Sequence, residues 1–287
     1  MPELPEVESL ARFVTERAGG QEVVRTELAS FSALKTFDPP LEALRGQALA
    51  EGGRRGKFLT LRFRDDLWLV LHLARGGWLR WRDELSTARA KPSPKSPLAL
   101  RLGFTGGGGF EVTEAGTEKR LALYVVRSPD DVEGVARLGP DPFEVDVAEL
   151  GARLAAAGAS PLKGVLADQT VLAGVGNAYS DEVLHTARLS PFKPASKLSA
   201  EELVRLHATL RTVLEEALGR SLGLPAAGLK AEKKEGLRVH GRAGQACPVC
   251  GDTVREVSYA TKAFQYCPTC QTGGRVLADR RLSRLLR

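Results

Sequence analysis

The sequence has few of the residues that characterise several common protein classes. It contains one methionine, four cysteines and four histidines among 287 residues, and aromatic residues make up 6% of the chain. It lacks a run of about 18 apolar residues, so it predicts no membrane-spanning helix. The start, MPELPEVESL, carries acidic residues where a secretory signal would carry basic ones. We therefore expect an intracellular, cytoplasmic protein without a membrane segment.

Basic residues exceed acidic residues, with 41 Lys and Arg against 35 Asp and Glu, for a net charge of +6. A positive balance favours a polyanionic partner such as nucleic acid. The last thirteen residues alone carry five arginines and one acid. A solvated basic surface explains such a tail equally well, so charge alone leaves the partner open.

The apolar residues divide the chain into a β-rich first part and a helical second part. Residues 5–18 have helical spacing, whereas 21–140 contain short apolar runs separated by turn residues. After the GPDPFEV segment at 139–145, helical spacing appears at 147–157, 161–168, 178–188 and 200–218. The pattern predicts an α+β protein, and the length predicts two domains.

All four cysteines lie in one motif, Cys247-x2-Cys250-x16-Cys267-x2-Cys270. Two matched CxxC pairs are typical of a tetrahedral zinc site. An intracellular chain disfavours two disulfides, and a single redox pair would not need a second CxxC. Four protein ligands leave no position open for substrate, so we predict one structural Zn²⁺.

A glycine turn precedes one of the predicted helices. In LAGVGNAYSDEVL, Gly174 and Gly176 stand before Asn177, where the helix is expected to begin. The Asn177 amide and the free N–H groups of the helix start could hold a phosphate, and Lys163 could add a second contact. A plain connection between two helices, with Asn177 as N-cap, explains the same residues, and both interpretations stay open here.

Three motifs occur in order over nearly the whole chain: MPELPEVE, GVGNAYSDEVL and CPVCG…YCPTCQ. Together they resemble the formamidopyrimidine-DNA glycosylase and endonuclease VIII family. The resemblance implies an α+β fold, with an N-terminal β-sandwich and leading helix, then a helical helix-two-turn-helix domain that ends in a zinc-ribbon β-hairpin. We expect a catalytic domain at 1–140, a DNA-binding helix-two-turn-helix domain at 141–236 and a zinc finger at 237–287. The implied partner is damaged double-stranded DNA, bound by a monomer.

The resemblance assigns the chemistry to the start of the chain. Once Met1 is removed, Pro2 would present a secondary amine that attacks C1′ of a damaged nucleoside and forms an iminium. An α-amino group titrates near about 8, below lysine, so more of it is unprotonated at neutral pH. Glu3 is then the acid and base, and Lys57 in RRGKFL binds the neighbouring phosphate and assists β-elimination. Glu6 would steer the amine, although an acid in the first turn of a helix is also favourable by itself.

The resemblance also implies contacts to DNA, and several positions depart from the family pattern. The expected contacts are His72, Arg75, Lys119, Leu121, Lys163, Asn177 and Arg242. The oxidised-purine branch typically fills the gap left by the extruded base with Met, Arg and Phe, and Arg75, Lys119 and Leu121 stand there instead. Lys262 replaces the zinc-finger arginine linked to δ-elimination, and lysine lacks the planar fork of arginine, so the second elimination stays open.

The lesion class also stays open. The segment GRSLGLPAAGLKAEKKEGLRVHGR stands where purine-specific members carry a longer loop over the extruded base, which favours oxidised pyrimidines, whereas MPELPEVE favours oxidised purines. The predicted function is a bifunctional DNA glycosylase and abasic-site lyase that uses no redox cofactor. The alternative, suggested by the changed gap-filling residues, is a catalytically weak lesion or abasic-site binding protein of the same fold.

Overall fold

The computed structural model describes residues 1–90, 93, 96–259 and 262–278, without the side chains of Tyr259 and Lys262. The chain forms two compact units. The first comprises Met1–Leu138 and Arg220–Lys230, and the second comprises Gly139–Gly219 and Ala231–Arg287, of which 279–287 lie outside the described residues. The chain passes from the first unit to the second close to the predicted boundary at 139–145. The division into three domains stays a prediction.

The first 138 residues fold as a β-sandwich with a leading helix. Their helices and strands are α1 (Leu4–Ala18), β1 (Val23–Leu28), β2 (Leu49–Arg55), β3 (Phe58–Phe63), β4 (Trp68–His72), β5 (Gly77–Arg82), β6 (Leu98–Phe104), β7 (Gly109–Glu114), β8 (Ala122–Val126) and α2 (Glu133–Ala136). The strands pair antiparallel in two four-stranded sheets, in the orders β1-β6-β7-β5 and β2-β3-β4-β8. This arrangement confirms the predicted leading helix and sandwich.

The core of the first unit lies between the two sheets and under α1. Leu61 and Leu69 of one sheet and Leu100 and Phe110 of the other are fully buried in the same apolar cluster. Helix α1 adds side chains at helical spacing to this cluster: Val7, Leu10 and Val14. Each such side chain contributes roughly 1.5–3 kcal/mol when it leaves water, so the apolar pattern is sufficient to hold α1 on the sandwich.

Helix α1 approaches β2 closely at a glycine. The Gly52 N–H donates to Thr15 Oγ1 at 2.7 Å, and that hydroxyl donates to the Ala11 carbonyl at 2.9 Å. A Cβ on Gly52 would lie 2.6 Å from the Ala11 oxygen, which is backbone and has no room to move away. The absence of a side chain at Gly52 therefore sets the distance between the helix and the sheet.

Helices dominate the chain after residue 139. The elements are α3 (Val147–Ala156), α4 (Leu162–Leu166), α5 (Asn177–Thr186), α6 (Ala200–Ser221), α7 (Leu229–Gly236), β9 (Arg255–Tyr259), β10 (Lys262–Tyr266) and α8 (Pro268–Thr272). The four predicted helices are confirmed, and β9 and β10 form the expected C-terminal hairpin. Helix α7 is not predicted, because Leu229 is its one buried residue and gives no apolar period. Within the described residues, no helix has both the length and the apolar character needed to cross a membrane.

Replacing Gly52 with alanine is expected to destabilise the protein by about 1–3 kcal/mol, because the new Cβ forces α1 away from β2. Urea unfolding measures the change. Gly53→Ala is the matched control, since a Cβ there meets only Thr60 Oγ1 at 3.4 Å, an ordinary contact. Equal unfolding free energies for the two variants would contradict the close approach.

Candidate functional site

The start of α1 carries two buried acids directly after Pro2. Glu3 is the N-cap residue, and its backbone N–H donates to Glu6 Oε2 at 2.8 Å in a capping box. Pro2 is buried, and Glu3 and Glu6 are 3% and 1% exposed. Met1 is 46% exposed. The hydrogen bond from Glu3 to Glu6 fixes the peptide that joins Pro2 to the helix.

Lys57 lies in the two-residue turn between β2 and β3, the two strands against which α1 packs. Gly56 opens that turn with a φ of 55°, which suits glycine, and Lys57 is only 6% exposed. The first residue of β3, Phe58, pairs with His72 at the end of β4, and their rings lie 4.8 Å apart. The first unit thus places the lysine and the histidine at one end of the same sheet.

His72 is held in its neutral form. Burial lowers the pKa of His72 to about 4, and the positive charge of Lys57 acts in the same direction. At neutral pH the imidazole is therefore uncharged. The predicted contact of His72 with DNA would be a hydrogen bond rather than an ion pair.

The turns that carry Arg75 and Lys119 lie side by side in the first unit. Both residues are exposed, and the Ala115 N–H in the second turn donates to the Gly76 carbonyl in the first at 3.0 Å. Glu114, which sequence reasoning missed, holds the second turn from a position that is 4% exposed. Its carboxylate accepts the backbone N–H groups of Arg120 and Leu121, and its carbonyl accepts from Lys119 Nζ.

Leu121 is placed differently from the exposed residues of its turn. It is 2% exposed and belongs to the apolar core of the sandwich. The apolar surface of Leu121 therefore packs against the protein in this structure, and its expected role as a wedge between bases stays a prediction.

The segment Arg220–Lys230 packs on the sandwich of the first unit. The Trp78 indole N–H donates to the Ala226 carbonyl at 2.9 Å, and Ala226 and Leu229 are buried in the sandwich core. Lys230 Nζ lies 4.5 Å from the centroid of the Trp78 ring. Burial, together with the charge of Arg80, lowers the pKa of Lys230. The segment GRSLGLPAAGLKAEKKEGLRVHGR, predicted to be a short loop, is therefore held against the sandwich in the part that precedes α7.

The glycine turn leads into α5 as expected, with one correction. Gly174 has a φ of 90°, a conformation that favours glycine, and Gly176 rather than Asn177 is the N-cap residue. Asn177 is the first residue of the helix, and its Nδ2 donates to the Ala263 carbonyl in β10 at 2.7 Å. The amide therefore ties the helix start to the C-terminal hairpin. Contact with phosphate at this helix start stays a prediction.

Lys163 and Arg242 make their described contacts inside the second unit. Lys163 Nζ lies 2.6 Å from Asp181 Oδ1 and donates to Ser180 Oγ at 2.8 Å, and Lys163 is 7% exposed. The Arg242 guanidinium donates to the carbonyls of Leu237 and Glu235 at 2.5 and 3.1 Å. These contacts hold loops and helices together. The predicted phosphate contacts of both residues stay untested.

The four cysteines converge on one point, as their spacing predicts. Their Sγ atoms all lie within 4.8 Å of one another, with 3.9 Å between Cys247 and Cys270 and 3.4 Å between Cys250 and Cys267. These distances exclude disulfides and suit a tetrahedral site, in which sulfur atoms lie about 3.8 Å apart for metal–sulfur bonds of about 2.3 Å. The cluster can therefore hold a metal ion. The side chain of Lys262 lies outside the described part of the chain.

Buried acids of α5, which the motif search did not single out, connect the parts of the second unit. Glu182 accepts the backbone N–H groups of Arg238, Val239 and His240 at 2.7, 3.0 and 2.8 Å. Burial raises the pKa of Glu182 above its ordinary value, and this effect outweighs the three N–H donors, which lower the pKa. Asp181 accepts from His240 Nδ1 at 2.7 Å. The adjacent acids in GVGNAYSDEVL were the available signal, but their burial is not visible in sequence.

Two family models match the chain. Residues 1–119 match the formamidopyrimidine-DNA glycosylase N-terminal domain, and residues 138–224 match the formamidopyrimidine-DNA glycosylase H2TH domain. The chain is 35% identical over 284 residues to a formamidopyrimidine-DNA glycosylase of Heliobacterium modesticaldum, covering 94% of this chain and 100% of the relative. An uncharacterised formamidopyrimidine-DNA glycosylase-like protein of Mycobacterium tuberculosis is 59% identical over 150 residues, which cover 52% of this chain and 94% of that protein.

Solved structures of similar proteins share the fold. The Lactococcus lactis Fpg in complex with DNA containing an abasic site matches with a TM-score of 0.83 and 25% identity, covering 94% of this chain and 99% of that one. MutM in complex with DNA containing carbocyclic 8-oxo-G matches with a TM-score of 0.81 and 27% identity, covering 94% and 100%. The predicted fold class is confirmed by these matches.

We expect the His72 imidazole to titrate near pH 4, well below the ordinary value of 6.5. Because the unfolded chain takes up this proton at higher pH than the folded protein, the contribution of His72 to stability is lost as the pH falls from about 6.5 through 4. In Lys57→Gln the titration midpoint should rise while staying below 6.5, because burial remains. The NMR chemical shifts of the His72 ring, followed as a function of pH, measure the titration midpoint in wild type and in Lys57→Gln. A midpoint that moves equally in the control Lys119→Gln would contradict the specific effect of Lys57.

Proposed function

The chain belongs to the formamidopyrimidine-DNA glycosylase family, and from that premise we propose that it is a bifunctional DNA glycosylase and abasic-site lyase. Its substrate is double-stranded DNA with an oxidised or ring-opened base. Relatives solved with abasic-site, Fapy-dG and 8-oxo-G DNA support this substrate class. The observation that carries the proposal is the pair of buried acids beside Pro2: Glu3 directly after it and Glu6 one helical turn further on.

The proposed reaction begins at the amine of Pro2 after Met1 is removed. The nitrogen attacks C1′ of the damaged nucleoside, the bond from C1′ to the base breaks, and the base leaves with a proton. The nitrogen loses its one proton, and opening of the sugar ring then gives an iminium. Loss of a proton from C2′ expels the 3′ phosphate, which is β-elimination, and water releases the enzyme.

Glu3 and Glu6 have different parts in this proposal. Glu3 supplies the proton to the sugar ring oxygen or to the leaving base, and later removes one. Glu6 Oε2 accepts from the Glu3 N–H, so it is a positioning residue that orients the peptide carrying Pro2. Both acids are buried at the start of α1, which limits exchange of their protons with bulk water.

The basic residues of the first unit are proposed to hold the DNA backbone. Lys57, in the turn between β2 and β3, binds the phosphate beside the lesion. Arg75 and Lys119, which are exposed on adjacent turns, are proposed to contact the DNA as well. In the second unit, the start of α5 at Asn177 is the proposed phosphate contact.

We further propose that the cysteine cluster holds one structural Zn²⁺. The distances between sulfur atoms suit tetrahedral coordination, and four thiolates leave no open position. The ion, when bound, supplies folding energy and takes no part in the reaction. Cys247, Cys250, Cys267 and Cys270 would hold it beside the C-terminal hairpin.

A binding protein for lesions or abasic sites, with little catalysis, is the second candidate. The burial of Leu121 favours it, because a sandwich that does not present this wedge has one group fewer to hold an extruded base in place. It does not explain a proline followed by two buried acids.

Borohydride trapping on DNA with an abasic site tests the covalent mechanism. Wild type should form a stable protein–DNA adduct, and Pro2→Gly should form much less, because the cyclic secondary amine is lost. Pro5→Ala is the matched control, since it removes a nearby proline, in the first turn of α1, without changing the terminal amine. Adducts of equal yield in wild type and Pro2→Gly, or no adduct in either, would contradict the proposed covalent mechanism. Tight binding of the abasic-site DNA without an adduct would favour the second candidate.

Glu3→Gln should slow base excision under single-turnover conditions by about 10²–10⁴-fold, the usual contribution of a general acid. Glu6→Gln should cost less, because the glutamine oxygen still accepts the Glu3 N–H and keeps the peptide in place. The substrates are duplexes with 8-oxoguanine, ring-opened purine, thymine glycol or dihydrouracil. A larger loss in Glu6→Gln than in Glu3→Gln would reverse the two roles.

A further inference from the structure

We propose that His185 is a positioning residue of the cysteine cluster, whose Nε2–H donates a hydrogen bond to the metal-bound thiolate of Cys247. His185 Nε2 lies 3.3 Å from Cys247 Sγ, and the two residues are 2% and 3% exposed. This inference rests on the proposed metal site and concerns a residue outside the CxxC motifs.

The direction of the hydrogen bond follows from the surroundings of the ring. Among the described residues, His185 Nδ1 is buried and has no hydrogen-bond partner. If the proton were on Nδ1, a buried donor would be unsatisfied and the Nε2 lone pair would face an electron-rich sulfur. With the proton on Nε2, the donor is satisfied and only one acceptor lone pair is left. The tautomer protonated at Nε2 is therefore favoured.

The negative charge of the metal-loaded cluster makes the His185 N–H donor favourable. A divalent ion with four thiolates carries a net charge of −2, and Cys247 and Cys267 are buried. Buried negative charge is costly unless donors surround it. An N–H aimed at Cys247 Sγ spreads part of that charge, keeps the thiolate oriented and makes it less reactive. Outer residues of this kind typically change metal affinity by about 10–100-fold.

The position of His185 on α5 is part of a regular pattern. Asn177, Asp181 and His185 are four residues apart and so lie on one face of the helix. Asn177 Nδ2 donates to the Ala263 carbonyl at 2.7 Å, and Asp181 Oδ2 accepts from the Gln265 N–H at 3.2 Å. His185 is the third polar contact in this row. One face of α5 thus binds both the C-terminal hairpin and the cysteine cluster.

The test compares His185→Phe, which keeps a ring but has no N–H, with His185→Gln, which restores a donor close to the position of Nε2. His207→Phe is the matched control, because His207 is a histidine of the same unit whose Nε2 binds the Val145 carbonyl at 2.8 Å instead of a cysteine. Each full-length protein is loaded with Zn²⁺, its metal content is measured, and its affinity is determined by competition with a chelator. Loading with Co²⁺ adds a spectrum of the sulfur-to-metal bonds.

We expect His185→Phe to bind Zn²⁺ about 10–100-fold more weakly than wild type, with shifted Co²⁺ bands. His185→Gln should recover much of the affinity, and His207→Phe should match wild type. Wild-type affinity in His185→Phe, or equal loss in His185→Phe and His185→Gln, would overturn the hydrogen bond. A wild-type protein that binds no metal would instead remove the proposed metal site itself.

A measurement on the unaltered protein covers the case in which the variants do not fold. Nitrogen-15 NMR of the histidine rings in the Zn²⁺-loaded wild type should show a proton on His185 Nε2 that exchanges slowly with solvent, and none on Nδ1. A proton on Nδ1 would contradict the proposal, since Nε2 would then be unable to donate.

Discussion

Both units of this protein depend on the same constraint: a carboxylate that is taken out of water must receive hydrogen-bond donors. In the second unit, Asp181 and Glu182 of α5 meet this need with groups that are far apart in sequence. Glu182 binds three successive backbone N–H groups at Arg238–His240, and Asp181 binds Lys163 and the Gln265 N–H. The helix therefore fixes the loop before the cysteines and the hairpin between them.

The same constraint shapes the N-terminus of the first unit. Glu6 is buried, and its carboxylate accepts the backbone N–H of Glu3. Because that N–H belongs to the peptide after Pro2, satisfying the acid also orients the proline. Further along α1, Gly52 allows the helix to approach β2 closely at Ala11 and Thr15. The hydrogen bond from the Glu3 N–H to Glu6 thus serves both the folding of the N-terminus and the proposed chemistry of Pro2.

Much of the architecture could be predicted from sequence, because apolar periodicity reports the buried face of α1 and of the strands such as β3. The CxxC spacing likewise predicted the meeting of the four cysteines. The burial of polar groups could not be predicted, because the identity of a residue in a motif does not indicate the orientation of its side chain in the fold. In the structure Lys163 lies against Asp181 and Leu121 lies in the core, and the sequence motifs indicate neither position. His185 was overlooked because only the folded helix brings it to Cys247.

The proposed chemistry requires that the terminal amine of Pro2, and no lysine, forms the covalent bond to DNA. Mass spectrometry of the borohydride-trapped adduct, after digestion of protein and DNA, tests it most directly. We expect the sugar remnant on the N-terminal peptide, at the nitrogen of Pro2 with Met1 removed. A remnant on the peptide containing Lys57, or on that containing Lys230, would contradict it.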